Sequence, residues 1–257
     1  MSDRATREEA PFQRDMAAGG GYLYTTNAPW SARVALERQT EEVLRAADFA
    51  GRSVLDVGCG DGAMTLDLYD RGGAERIEAI DPAANAISVA ASRRGDRRIQ
   101  FSVCSAYELP FPDQAFDIAH LRGVLHHMDR PEAAISEAAR VARTVVVLEP
   151  NGLNPVMKLI EKVSPYHRAH GERSFRPGQL RQWMENAGLS VAFDSFSCLV
   201  PYFCPEPVAR LLKRLEPVVE KTPLIRAVGC GTYTLTAVRR DERAAAGAKP
   251  CRPSAAD

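Results

Sequence analysis

Apolar positions along the chain alternate between two spacings. In residues 31–48, Val34, Leu36, Val43, Leu44 and Ala47 fall at helical intervals. Ser53–Val57 then reads as a β-branched apolar strand, followed by a glycine turn and a helix from about Ala63 to Tyr69. Arg76–Ile80, Ile99–Val103, Phe116–Leu121 and Thr144–Leu148 read as further strands. Helices at Ala83–Arg93 and at Pro131–Val141 fall between them, the latter with proline at a favourable first position. The fifth strand is almost continuously apolar, as expected where both sheet faces are covered. Five short strands separated by helices or long crossovers predict an α/β fold with a parallel sheet. After Pro150 the pattern changes to helices at Asn154–Val163, Arg176–Ala187 and Glu206–Glu220, with strands at Leu189–Ser195 and Thr232–Val238. The reading is a flexible arm over 1–30, one domain over 31–238 and a charged, alanine-rich, disordered tail over 239–257.

Composition narrows the function classes. Lys plus Arg is 33 and Asp plus Glu is 33, so the net charge is zero and nothing suggests a nucleic-acid partner. The cluster Arg93–Arg98 is broken by Asp96 and reads as a solvated helix end. Cys59, Cys104, Cys198, Cys204, Cys230 and Cys251 form no C-x-x-C pair and no metal-ligand spacing, which fits a reduced, cytoplasmic protein. The N-terminus is too charged to begin a secretory signal, and no uncharged run approaches the ~20 residues that span a bilayer. No integral membrane contact is expected.

The candidate chemistry begins at Val54-Leu55-Asp56-Val57-Gly58-Cys59-Gly60-Asp61-Gly62. A strand feeding a helix through glycines lets the backbone approach a ligand closely. Gly58-x-Gly60-x-x-Ala63 also satisfies the dinucleotide fingerprint, so an NAD-dependent oxidoreductase remains an alternative on this match alone. Asp56 stands where a buried strand end should be apolar, and a ligand ammonium group would justify an acid there. Among the two cofactors, S-adenosylmethionine carries one and NAD does not. Asp81, before Pro82, lies roughly 20 residues beyond the glycines at the tip of the second strand, where a carboxylate accepts ribose hydroxyls. The competing role is a turn acid capping the next helix.

These stretches, with Ala106-Tyr107-Glu108-Leu109-Pro110-Phe111-Pro112 and Gly123-Val124-Leu125-His126-His127-Met128, resemble the class I S-adenosylmethionine-dependent methyltransferases over roughly residues 50–150. The resemblance implies a Rossmann-like, seven-stranded, mostly parallel sheet with its last strand antiparallel, helices on both faces and an acceptor-binding elaboration after strand five, about 151–230. It also implies roles. Gly58, Cys59 and Gly60 would lie along the methionine and ribose, and Asp81 would hold the ribose. Ser105 and Ala106 would flank the adenine, with Leu121 and Arg122 beside the cofactor. Ser105 stands where the family commonly has Asp, and the backbone N–H of Ala106 is the alternative adenine donor.

Methyl transfer from a sulfonium mainly requires orientation of the nucleophile, with a base where the acceptor carries a proton. His126 and His127 follow strand four and are candidate bases, or helix-start residues. Glu149 and Asn151 end strand five and are candidate substrate contacts, or turn residues. His167 and His170 lie in the polar stretch beyond it, as part of a substrate lid or a solvated loop, with no third ligand for a metal. The expected activity is methylation of oxygen or nitrogen on a small-molecule acceptor such as a natural-product intermediate, a sugar or a lipid precursor. A non-catalytic binding subunit on the same fold is the third alternative.

Overall fold

The computed structural model describes Thr25 and residues 28–164 and 173–240. Helix α1 (Trp30–Ala46) leads into an alternation of β1 (Ser53–Val57), α2 (Ala63–Asp70), β2 (Arg76–Asp81), α3 (Ala84–Arg93), β3 (Ile99–Val103) and β4 (Phe116–Arg122). A single 3-10 turn at Leu125–His127 precedes α4 (Pro131–Val141) and β5 (Ala142–Pro150). Then follow α5 (Pro155–Val163), α6 (Pro177–Asn186), β6 (Leu189–Ser197), α7 (Glu206–Lys221), α8 (Pro223–Gly229) and β7 (Thr232–Arg239).

The seven strands form one sheet in the order β3-β2-β1-β4-β5-β7-β6. β7 is antiparallel to both neighbours, β5 and β6, while the other pairings are parallel. The mostly parallel α/β sheet expected from the sequence is therefore present. Two groups of helices depart from simple alternation: α5 follows β5, and the α7–α8 pair separates β6 from β7. Sequence periodicity missed α8, which is only seven residues long. Among the described residues no helix is long and apolar enough to cross a membrane.

Strand order reverses between β1 and β4, and ligands of open α/β sheets bind beyond the carboxyl ends at such a point. The two-residue period of each strand sorts what borders that crevice. On β1, Leu55 and Val57 enter one buried layer with α4, while Val54 enters the other with α1 and α2. On β4, Ala119 and Leu121 share the first layer and Ile118 the second. Asp56, His120 and Arg122 therefore face the α1–α2 side. On β5, Val145 and Val147 point to the α4 side, so Glu149 does too.

Candidate functional site

The backbone of the glycine turn folds over the end of β2. Gly58 and Cys59 both donate N–H to the Ile80 carbonyl, at 2.8 and 3.0 Å. Gly58, Gly60 and Gly62 have φ of +74°, +55° and +79°, the left-handed region that favours glycine. A Cβ on Gly58 would stand 2.3 Å from Val124 Cγ2, so the turn between β4 and the 3-10 turn packs directly on glycine backbone. Only glycine leaves room for Val124 at this position. Asp81 ties the turn to the next helix: its Oδ2 accepts from Gly60 N at 3.0 Å and its Oδ1 from Ala83 N at 2.8 Å. Asp81 is thus a turn acid ahead of α3, whose N-cap is Ala83 and has no side-chain cap, and the turn holds the carboxylate beside the glycines. Pro82 is exposed. Ala106 is buried, while Ser105 is exposed and accepts from Tyr107 N at 3.3 Å.

Asp56 is buried, but its partners come from the protein. Thr65 donates to Oδ2 at 2.6 Å, and His120 Nδ1 lies 2.8 Å from Oδ1. The cost of burying this acid is met without a ligand, so a ligand ammonium group is not needed to explain its presence. Neither Thr65 nor His120 was identified from sequence. Asp56 and His120 meet through the register of adjacent parallel strands, where they stand opposite each other. Arg122 likewise turns away from the crevice floor into α1, donating to Thr40 Oγ1 at 2.9 Å, Leu36 O at 3.0 Å and Gln39 Oε1 at 3.3 Å. Its neighbours are neutral acceptors, and burial pulls its pKa below the ordinary arginine value. Leu121 is fully buried in the core.

Burial, together with Asp56 and Asp81, pushes the Cys59 thiol well above its ordinary pKa. A thiol with so little thiolate is a poor nucleophile. Iodoacetamide at about pH 8 should therefore leave Cys59 unmodified in the native protein and alkylate it after denaturation, as read by peptide mass spectrometry. Native labelling would contradict the closed packing of this turn.

The carboxyl ends of β4 and β5 bring Glu149 and His126 together. Glu149 is fully buried; its Oε1 accepts from Val124 N at 2.9 Å and Leu125 N at 2.8 Å, and its Oε2 lies 2.7 Å from His126 Nδ1. In the tautomer that donates from Nδ1 to Glu149 Oε2, Nε2 is the nitrogen that accepts a proton. Two backbone donors fix the acid, and the acid fixes the ring. The His127 ring packs against His126 at a tilt of 43°, with ring centroids 3.8 Å apart. Glu149 cannot be the substrate contact expected from sequence, because burial and these three partners occupy it. Asn151 is corrected likewise: it is buried, donates to the Ala227 and Cys230 carbonyls at 2.9 Å each, and accepts from Leu153 N at 3.0 Å. It anchors the end of α8 rather than facing an acceptor. His167 and His170 lie outside the described residues. Among the described residues no three His, Cys, Asp or Glu side chains are placed to hold a metal.

Beside this turn a cavity of about 340 Å³ opens between the start of α4 and the start of α6, with Arg173, Phe175 and Trp183 in its wall. The Arg173 backbone N–H bonds the His126 carbonyl at 3.3 Å, linking cavity wall to histidine turn.

Residues 55–148 match the family described as a methyltransferase domain. The chain is 33% identical over 128 residues to the O-methyltransferase resE of Aspergillus sclerotiorum, covering 48% of each protein. It is 33% identical over 105 residues to the 27-O-demethylrifamycin SV methyltransferase of Amycolatopsis mediterranei, covering 37% of this chain and 36% of that one. The matches span about half the length of such curated relatives, or less. Among solved structures, the cyclase SpnF superposes with a TM-score of 0.63 at 25% identity, covering 92% of this chain and 94% of that one.

Proposed function

Residues 55–148 carry a methyltransferase domain, and from that premise we propose that the chain is a class I S-adenosylmethionine-dependent methyltransferase that methylates an oxygen or nitrogen of a small-molecule acceptor, with His126 as general base. The methyltransferase-domain match supports S-adenosylmethionine as the adenosyl cofactor, a choice that Gly58-x-Gly60-x-x-Ala63 alone leaves open. The observation that carries the rest is the His126 Nδ1–Glu149 Oε2 contact of 2.7 Å at the ends of β4 and β5. A buried acid that fixes one nitrogen of a histidine prepares the other to accept a proton.

The residues present fit the cofactor. The left-handed glycine backbone at Gly58, Gly60 and Gly62 and the Asp81 carboxylate at Gly60 are the features an adenosyl ligand requires. Gly58, Cys59 and Gly60 would line the methionine and ribose, Asp81 would hold the ribose, and Ala106 with Ser105 would border the adenine. Bound there, S-adenosylmethionine supplies an already activated methyl group. The protein's work is then to orient the acceptor, exclude water and take up its proton at His126 Nε2. Glu149 acts through His126 as a positioning residue. The cavity walled by Arg173, Phe175 and Trp183 is the place proposed for the acceptor. Two curated relatives named O-methyltransferase or 27-O-demethylrifamycin SV methyltransferase support oxygen as the atom methylated, and the second supports a natural-product acceptor.

Replacing Asp81 with Ala removes an acceptor for the ribose and the tie to Gly60. S-adenosylmethionine affinity should fall at least about tenfold, because hydrogen bonds to a charged acceptor contribute ~1.5–3 kcal/mol each. Isothermal calorimetry checks this, and an unchanged Kd would sink the ribose assignment. The likeness to a cyclase supports a second reading, a non-methylating enzyme on this fold. Transfer of labelled methyl to any acceptor in a single turnover excludes it; conversion of a substrate without label uptake establishes it.

A further inference from the structure

Large apolar side chains are exposed in one part of the molecule. Among the described residues thirteen large hydrophobics stand exposed, and all but Val103 lie between Leu153 and Val228. On α7 the exposed Val208, Leu211, Leu215 and Val218 fall at i, i+3, i+7 and i+10, one continuous stripe. On α5 Val156, Leu159 and Val163 repeat the spacing. On α8 Leu224 is 85% exposed, with Ile225 and Val228 beside it. The three helices adjoin. Asn154, the N-cap of α5, donates to the Gly229 and Cys230 carbonyls at the end of α8. The end of α8 also packs on α7, since a Cβ on Gly229 would lie 3.4 Å from Val219. Single exposed apolar residues are ordinary; ten gathered on adjoining helices mark an interaction surface.

Charge identifies the occupant. The acids of these helices are largely turned inward. Glu216 is buried and accepts from Leu199 N, Glu220 accepts from Cys198 N and binds Arg38, and Glu161 accepts from Ser174. Glu206 is held by Arg210 at 2.6 Å. Of the cations, Lys158, Arg210 and Lys213 pair with Glu161, Glu206 and Glu216, and four remain. Lys162, Arg214 and Lys221 are exposed, and with Arg226 they form no ion pair among the described residues. Helical spacing places Arg214 and Lys221 along one edge of the α7 stripe, and Lys162 along the matching edge of the α5 stripe. In a chain of zero net charge this cation excess is local. Apolar stripes edged by lysine and arginine fit a membrane interface, where the stripe enters the acyl boundary and the cations reach anionic headgroups. A second copy of the chain would instead set these cations against one another.

We propose that α5, α7 and α8 form a face that docks this protein peripherally on an anionic lipid surface. The proposal does not depend on which acceptor is methylated. The test is sedimentation of the full chain with phosphatidylcholine vesicles, with and without phosphatidylglycerol. Binding is expected only to the anionic vesicles and should weaken with salt. The exposed pairs Leu211→Glu with Leu215→Glu, and separately Arg214→Glu with Lys221→Glu, should each lower vesicle partitioning at least about tenfold. Both variants should keep the native circular dichroism spectrum and Tm, because the altered side chains lie at the surface. No binding to either vesicle would overturn the proposal. So would binding indifferent to lipid charge, or a concentration-dependent dimer that the leucine substitutions dissolve.

Discussion

His126→Asn should lower kcat about 10²–10⁴-fold, the usual contribution of a positioned general base. Asparagine is the informative replacement, because its side-chain amide can still donate to Glu149 Oε2 and spare the buried carboxylate an unpaired state. S-adenosylmethionine affinity and Tm should therefore stay close to wild type while turnover falls. The acidic limb of the pH–rate profile should also disappear, since it reports protonation of the base. Glu149→Gln separates positioning from mere packing. A glutamine oxygen can still accept from Val124 N and Leu125 N, but its amide then donates to His126 Nδ1. That forces the proton onto Nε2, the nitrogen meant to receive one. Glu149→Gln should consequently lose nearly as much turnover as His126→Asn, and the double variant little more than either single one. Full activity in His126→Asn would show that the acceptor needs no base there, leaving orientation as the protein's contribution.

The elements were legible in the sequence wherever periodicity and punctuation agreed. Ser53–Val57, Ile99–Val103 and Pro131–Val141 have the boundaries the pattern predicts, because a β-branched run or an N-terminal proline marks each end. Partner choice was less legible. Asp56 carries a real signal, a buried acid where apolar residues belong, yet the signal does not say who satisfies it. Thr65 comes from the first turn of α2 and His120 from the neighbouring strand, and only the register β1–β4 joins them. Arg122 shows the same limit. Its place at the end of β4 suggested the crevice, but the two-residue period aims it beneath α1, onto Thr40 and Gln39. Glu149 and Asn151 were legible as chemistry and misread as to target. Both end β5 in the sequence, but neither has a free surface to offer a substrate. The His126–Glu149 pair was within reach of sequence reasoning, since both residues were singled out. What sequence could not supply was their meeting across parallel strands β4 and β5.

Gly58→Ala should be the most destabilising single methyl in the molecule's cofactor turn. Two separate costs add. A φ of +74° places an alanine in left-handed space, at roughly 1–2 kcal/mol. The new Cβ would also stand 2.3 Å from Val124 Cγ2 and 2.9 Å from Val124 Cβ, an overpacking that typically costs ~1–3 kcal/mol. Val124 has little room to retreat, because its backbone N–H is held by Glu149. Chemical denaturation should report a loss of about 2–5 kcal/mol. Val124→Ala in the Gly58→Ala background should return only part of it. The Cγ2 overlap is removed, while the Cβ at 2.9 Å and the backbone term persist. The double-mutant cycle thus isolates the steric share from the backbone share. Loss of stability equal in both backgrounds would show that Val124 does not bear on this turn. The same contact predicts a catalytic consequence. Displacing Val124 shifts one of the two backbone donors that fix Glu149, and with it the orientation of His126. Turnover of the still-folded Gly58→Ala protein at saturating cofactor should fall beyond what its cofactor affinity explains, because the turn that cradles the cofactor also braces the base.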